Sequence, residues 1–459
     1  MFIRGDVYRV IQLEEEILEQ YGNKSDGNGN TGLISLEELI SMAGPASPDF
    51  SVYIIASDGR AAALKGDQLQ GSYIGWGSQN GWEAFNPSHP VSSNIKGIRE
   101  MVVALEERQD DFGLNIISME ENITFITPGN AYLSAARDLG SGGTSFKASG
   151  DEKLEASAFQ ERYMIRLEEL TDARPETMVL MGSEGEYLFL KGNSSISLEV
   201  KDNRFAYNGL SAEDSISDIK GAVLDPAAAS IMDVCHDTLG FTGNGISVLL
   251  IITDGMGYHQ YEYAVENGYA PFMGSMPGAD MALSVYQPVT NAGLAAILTG
   301  RPPAENGIYS RKQRIPQVPT IMGEMLEQGR AALLIEGDIQ VIQTEVEASL
   351  NSDSDSDGTI DDEIFEMAME NLDQGADLMA VHFHSIDDSG HDSGGMSPET
   401  MERIKIIDSY ISQLVSGWQG KVIITSDHGM HSTSGGGDHG QFRYEDMAVP
   451  YMIIDGGKS

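Results

Sequence analysis

A single cysteine, Cys235, in 459 residues excludes an internal disulfide framework and any zinc site built on cysteine pairs. Basic residues are scarce too. The 28 Lys and Arg stand against 70 Asp and Glu, giving a formal net charge of -42, and such a field repels nucleic acid polymers and anionic membranes. Any anionic substrate therefore needs cations placed locally. Long hydrophobic runs are missing: no stretch approaches the roughly 18 apolar residues of a membrane span, and MFIRGDVYRV has no signal-peptide core. These absences predict a soluble protein, extracytoplasmic or from a high-salt setting where screening relieves self-repulsion. A merely very soluble surface is the plainer reading, and an export signal trimmed from the chain would leave no trace.

The length suits two or three domains, and a hydrophobic share of 41% suffices for a full core. The N-terminal half carries an internal similarity. Ser57 to Gly66 aligns without a gap on Ser183 to Gly192, and each stretch is preceded by Leu-Glu-Glu-Leu, at Leu36 to Leu39 and at Leu167 to Leu170. The turns Asp58-Gly59 and Glu184-Gly185 lie between strand-like runs, as hairpins require. A helical segment over 1–44, then a duplicated β-rich module over 45–225 with repeats near 36–66 and 167–192, is therefore expected. Its role is binding or positioning of a partner that the sequence does not identify, and it is expected to fold apart from residues 231–459.

Two acidic loops invite calcium. Asp26, Asn28, Asn30, Gly32 and Glu37 take positions 1, 3, 5, 7 and 12 of an EF-hand-like loop, although Thr31 replaces the turn glycine. Asp353, Asp355 and Asp357 resemble the front of such a loop but reach Ile364 where the bidentate Glu belongs, so a solvated loop is expected there.

From about residue 231 buried strands alternate with helices, the pattern of a doubly wound α/β domain over 231–459. Strands are predicted over 246–253, 331–335, 378–384 and 422–426, and helices over 291–298, 320–328, 361–371 and 397–414. Three strands run straight into an aspartate. Ligands gather at the carboxyl ends of strands in an open parallel sheet, so Asp254, Asp387 and Asp427 are expected to meet at one edge. Asp387 and His391 flank a turn that aims both at one point, and Gly429 after Asp427-His428 permits an unusual backbone angle. Six of the nine histidines lie between His382 and His439. His382 and His384 read as hydrogen-bonded residues at a strand end, and His431 is the alternative to His439.

The motif order IITDGMG, PVTNAGLAAILTG, DDSGH, TSDHGM and GGGDHG resembles the metal-dependent alkaline phosphatase superfamily, within it the type I phosphodiesterase / nucleotide pyrophosphatase branch, over residues 246–455. The resemblance implies an alkaline-phosphatase-like α/β/α sandwich. It implies one metal held by Asp387, His391 and His439, and a second held by Asp254, Asp427 and His428 with Thr290 completing its shell. Oxygen and nitrogen donors suit zinc, with manganese as the other candidate, and three carboxylates offset most of the charge of two divalent ions. Thr290 is then the nucleophile of a two-metal phosphoryl transfer, helped by a helix N-terminus, and Asn291 holds a phosphoryl oxygen. Arg311, Lys312 and Arg314 form a dense positive patch suited to substrate.

His439 follows His428 by only eleven residues, a spacing similar to phosphoethanolamine-transferring relatives and compact phosphatases. The expected function is hydrolysis of a small phosphate ester. The matched motifs offer no third cluster of carboxylates, so a singly charged diester suits the site better than a dianionic monoester. The alternatives are a phosphomonoesterase or phosphoethanolamine-type transferase, or a non-catalytic, calcium-dependent surface or binding protein that keeps a phosphatase-like domain.

Overall fold

Val248 to Thr253 form a strand in which every residue is buried, as expected of the centre of a parallel sheet covered on both faces. The computed structural model describes residues 1–107, 112–149, 152–191, 196–211 and 213–457. The C-terminal half is built on eight strands, β1 (Ala229–Ser230), β2 (Val248–Thr253), β3 (Asp280–Leu283), β4 (Ala332–Glu336), β5 (Ser349–Leu350), β6 (Leu378–Phe383), β7 (Lys421–Thr425) and β8 (Ala448–Asp455). Their order across the sheet is β1-β3-β8-β7-β2-β6-β4-β5. β7, β2, β6 and β4 run parallel in register, and β8 turns the direction by pairing antiparallel with β7 and β3.

Seven helices cover the sheet: α1 (Asp233–Gly243), α2 (Tyr258–Glu266), α3 (Thr290–Thr299), α4 (Ile321–Glu327), α5 (Asp361–Asn371), α6 (Ser385–Ser393) and α7 (Pro398–Gly417). Strand side chains alternate between faces. Val248, Leu250 and Ile252 meet α1, α3 and α4, whereas Leu249 and Ile251 meet α2, α5 and α7. The result is the doubly wound α/β/α sandwich. Cys235 is buried on α1 within the first of these layers. Among the described residues, no helix is long and apolar enough to cross a membrane.

The N-terminal half is β-rich. One five-stranded sheet has the order 11–12, 2–5, 98–105, 50–56, 61–65, and another has the order 122–126, 114–117, 219–224, 177–182, 187–191. Numbered by sequence, both orders read second, first, fifth, third, fourth. Two four-stranded sheets, 24–25, 31–35, 73–77, 81–85 and 136–149, 152–166, 197–201, 204–206, each follow chain order. The two similar segments occupy matching hairpins of the five-stranded sheets, 50–56 with 61–65 and 177–182 with 187–191. Gly192, the last residue of the second segment, lies outside the described residues.

The chain divides into two compact units that cut across the boundary expected near 225–231. Residues 116–123 and 175–192 belong with 220–459, and residues 1–115, 124–174 and 193–219 form the other unit. The physical reason is a separate apolar cluster. Ile117, Met119, Val179, Met181 and Val223 are buried together with Leu283, Phe442, Met447 and Ala448, so these β-segments are part of the C-terminal core.

Candidate metal centre and nucleophile

β7, β2 and β6 lie side by side, and each delivers an acid just past its carboxyl end: Asp427, Asp254 and Asp387. Asp387 is not on a turn. It lies in the first turn of α6, and His391 lies one turn later on the same face, with Nε2 3.3 Å from Asp387 Oδ2. Buried Asp361 accepts from the His384 and Ser385 amides and so fixes where α6 begins. Gly429 is needed for a different reason than the one read from sequence. A Cβ there would lie 2.1 Å from the Glu445 carbonyl oxygen, so close approach of two chains excludes any side chain.

The three expected histidine ligands share one arrangement. His428 Nδ1 donates to the Gly429 carbonyl at 3.0 Å, His439 Nδ1 to the Pro288 carbonyl at 2.9 Å, and His391 Nδ1 to the Gly437 carbonyl at 3.2 Å. A carbonyl only accepts, so each ring carries a proton on Nδ1 and turns Nε2 inward. His428 Nε2 lies 3.3 Å from Asp254 Oδ1 and 3.5 Å from Asp427 Oδ2, and His439 Nε2 lies 3.6 Å from Asp387 Oδ1. The His428 and His439 rings stack with centroids 3.8 Å apart.

Among the expected ligands, two sets of potential ligand atoms close to within 4.8 Å: Asp254 with Asp427 and His428, and Asp387 with His428 and His439. The first is the complete protein set expected for one ion apart from Thr290. In the second His428 takes part, and His391 stands beside Asp387 at the rim. The donors also pass a chemical test of fit. Asp254 Oδ1, Asp387 Oδ1, Asp427 Oδ2 and His391 Nε2 are buried without a hydrogen-bond partner, which is costly for atoms that face only protein.

The electrostatics reflect three carboxylates crowded together. Burial and the neighbouring Asp254 charge push the Asp427 carboxyl up to about 7. Burial would also raise Asp254, but His382 and His384 beside it hold it well below the usual carboxylate range. Burial and the nearby His428 push His439 down to about 3, which keeps its Nε2 unprotonated and able to accept from Arg311.

Thr290 is the first residue of α3, with Val289 in the N-cap position, and its Oγ1 lies 3.3 Å from His428 Nε2. First-turn amides have no acceptor within a helix, so Asn291 and Ala292 present N–H groups at the positive end of α3. The Asn291 side chain donates to the Gln313 carbonyl at 2.8 Å. Of the basic patch, Arg311 reaches the site, with Nη2 2.5 Å from His439 Nε2. Arg314 instead donates to the Gln340 carbonyl, and Lys312 is exposed. His431 is held by Asp446, with Nδ1 2.8 Å from its carboxylate, and is not among the gathered ligands.

The candidate calcium loops diverge. Asp26 closes a hairpin turn by accepting from the Asn28 and Asn30 amides, while Gly32 lies on the next strand and Glu37 on the following helix. The structure does not gather these five residues as ligands among the described clusters. Asp353, Asp355 and Asp357 do come together on the surface, with Asp353 accepting from the amides of Ser356 and Gly358.

Residues 248–450 match the family described as type I phosphodiesterase / nucleotide pyrophosphatase. The C-terminal half is a member of that branch of the alkaline phosphatase superfamily. Among solved structures, this phosphodiesterase domain is similar to phosphonoacetate hydrolase from Sinorhizobium meliloti 1021 in complex with phosphonoformate, at 18% identity and a TM-score of 0.34 over 40% of this chain and 56% of that one. It is also similar to murine ectonucleotide pyrophosphatase / phosphodiesterase 5, at 19% identity and a TM-score of 0.34 over 41% of this chain and 58% of that one. The chain thus spans a little over half the length of either structure. No curated protein matches it.

Glu336 is the residue that motif reading missed. It ends β4 as Asp254 ends β2, and the same pattern of an apolar strand running into an acid was visible in LLIEGD.

Proposed function

We propose that the phosphodiesterase domain is a metal-dependent phosphoester hydrolase in which Thr290 supplies the attacking oxygen. The observation that carries this reading is the common orientation of His391, His428 and His439. Backbone carbonyls pin all three Nδ1–H groups, and with them so held His428 Nε2 faces Asp254, Asp427 and Thr290, His439 Nε2 faces Asp387, and His391 Nε2 stands beside Asp387. Asp254, Asp427 and His428, with Thr290, would hold one divalent ion, and Asp387, His391 and His439 the other. Zinc fits these donors. Bound there, the ions neutralise charge on the phosphoryl oxygens and on the attacking and leaving oxygens.

The chain's own residues supply placement. Residues of α3 aim Thr290 Oγ1 at the phosphorus, and the first-turn amides of the helix with Asn291 hold a non-bridging oxygen. The Thr290 oxygen forms a bond to phosphorus as the ester P–O bond breaks, and water then releases the phosphoryl group from Thr290. Replacing Thr290 with Ala should abolish turnover of chromogenic phosphate esters while leaving metal content by mass spectrometry unchanged. Parent-like turnover in that variant would refute the nucleophile.

Arg311 favours a second reading of the substrate. Its guanidinium enters the site, so it can meet an additional negative oxygen, as a phosphate monoester carries. Specificity constants for nitrophenyl phosphate and bis-nitrophenyl phosphate, measured in the parent and in Arg311→Ala, separate the two. Loss confined to the monoester assigns Arg311 to that oxygen, and equal loss on both assigns it to general phosphate binding.

We read the N-terminal half as two copies of one unit, each a five-stranded and a four-stranded sheet. The matched strand orders and the equivalent hairpins support this, and it suits a binding or positioning role.

A further inference from the structure

The face of Asp254 turned away from His428 meets a second cluster that the reaction does not use. β2, β6 and β4 are adjacent and in register: Ile252 stands opposite His382, and Ile335 stands opposite Val381, which puts Glu336 next to His382. His382 is therefore flanked by an acid on either side, and His384 folds back beside it with ring centroids 4.2 Å apart. His382 Nε2 and His384 Nδ1 lie 3.5 and 3.6 Å from the same oxygen, Asp254 Oδ2. Their other nitrogens, His382 Nδ1 and His384 Nε2, lie 3.0 and 3.4 Å from Glu336 Oε2.

Two buried carboxylates on either side of the same pair of imidazoles require compensating positive charge, because an isolated anion in a protein interior is strongly unfavourable. Either both imidazoles are protonated or a cation lies between them. The geometry favours the cation. The Asp254 to histidine separations are too long for hydrogen bonds, and His382 Nε2 has no partner although the ring is fully buried. They match the distance of about 3.4 Å between neighbouring ligands of a tetrahedral ion with bonds of about 2.1 Å. The 3.0 Å contact with Glu336 places the His382 proton on Nδ1 and frees Nε2 to face Asp254, the usual orienting role of a carboxylate behind a metal-binding histidine.

We propose that Asp254, His382 and His384 form a third divalent-cation site of zinc-like coordination, with Glu336 orienting the His382 ring from behind. Asp254 then bridges, giving Oδ1 toward His428 and Oδ2 to this site. On this proposal the two histidines do more than the strand-end hydrogen bonding expected of them, which His382 also shows with Glu336. The cluster was hidden because Glu336 belongs to none of the matched motifs. The site is independent of the reading of Thr290, and shares with the proposed pair of ions only Asp254.

The test uses the full chain, stripped with chelator, dialysed against Zn2+ and crystallised, with anomalous difference maps recorded at the zinc edge. An ion about 2.0–2.2 Å from His382 Nε2, His384 Nδ1 and Asp254 Oδ2 is expected. In solution, His384→Ala should bind one zinc fewer per chain than the parent. Glu336→Gln, which keeps all three ligands, should hold that ion about 10–100-fold more weakly. Zinc at the other two positions with none here, or unchanged zinc in His384→Ala, overturns this proposal and leaves the hydrolase reading standing. An absence of zinc everywhere overturns both.

Discussion

Gly293 offers a direct test of how closely α3 must sit. It lies one turn after Thr290, and a Cβ built on it would stand 2.5 Å from the Asp427 carbonyl oxygen and 2.8 Å from Asp427 Cβ. Ordinary contacts begin near 3.4 Å, so a methyl group overlaps its neighbour by about 0.9 Å. Neither side yields cheaply. Residues 291–299 of α3 are all buried, and the Asp427 backbone follows directly on β7. Gly293→Ala must therefore separate Thr290 from Asp427 and His428 by most of that overlap. A shift of about 1 Å in a reacting group lowers turnover about 100-fold, equivalent to about 2.7 kcal/mol in activation free energy, and overpacking of this kind costs about 1–3 kcal/mol of stability. The assay is kcat on a nitrophenyl ester beside thermal unfolding, with Gly240→Ala as control. Gly240 is on exposed α1 surface with nothing within 4 Å of its added Cβ, so that variant should gain slightly in stability and keep full activity. A folded Gly293→Ala protein with kcat within about threefold of the parent would refute the claim that this packing sets the position of Thr290, the proposed nucleophile.

Residues 231–459 expressed alone should be less stable than the whole chain and self-associate, because the cluster of Leu283, Phe442, Met447 and Ala448 loses Ile117, Met119, Val179, Met181 and Val223. Sedimentation checks this, and a monomeric fragment with the melting temperature of the full chain would count against it. Acid sensitivity should depend on His259, which burial pushes down to about 4. Above pH 6.5 it is neutral in both states. As pH falls from 6.5 toward 4 the unfolded chain takes the proton first, so stability is lost, by at most about 3 kcal/mol. His259→Leu should flatten the unfolding temperature across that window, and an unchanged slope would remove His259 as the cause.

The doubly wound fold was legible because its strands are continuous apolar runs and its helices carry clear stops. The expected helix over 361–371 matches α5, and the other elements differ by a few residues at their ends. The acids at the strand ends were legible for the same reason, since a parallel sheet forces its carboxyl ends together. The short helix α6 was not. Its polar SIDDSGHDS has no apolar stripe, and what fixes it is Asp361, 24 residues before Ser385. The share of the N-terminal β-segments in the C-terminal core was equally hidden, because patterning reveals that Val179 and Met181 are buried but not against what. Glu336 shows the limit of motif order. It becomes informative only once register sets β4 beside β6.

β2 stands between β7 and β6, although those strands follow it in the chain by about 170 and 130 residues. During synthesis at about 5–20 residues per second, Asp254 therefore leaves the ribosome roughly ten seconds or more before Asp427 and His428 exist. Closing contacts over such separations is slow, and the anionic pocket has no stabilising neighbours until it is complete. A chain truncated before residue 427 retains most of the apolar sequence yet lacks the groups that make a cation the natural occupant. On the proposed metal centre, ion uptake then reports that translation has passed His439, and resistance of metal-loaded protein to proteolysis should separate such chains from those terminated earlier.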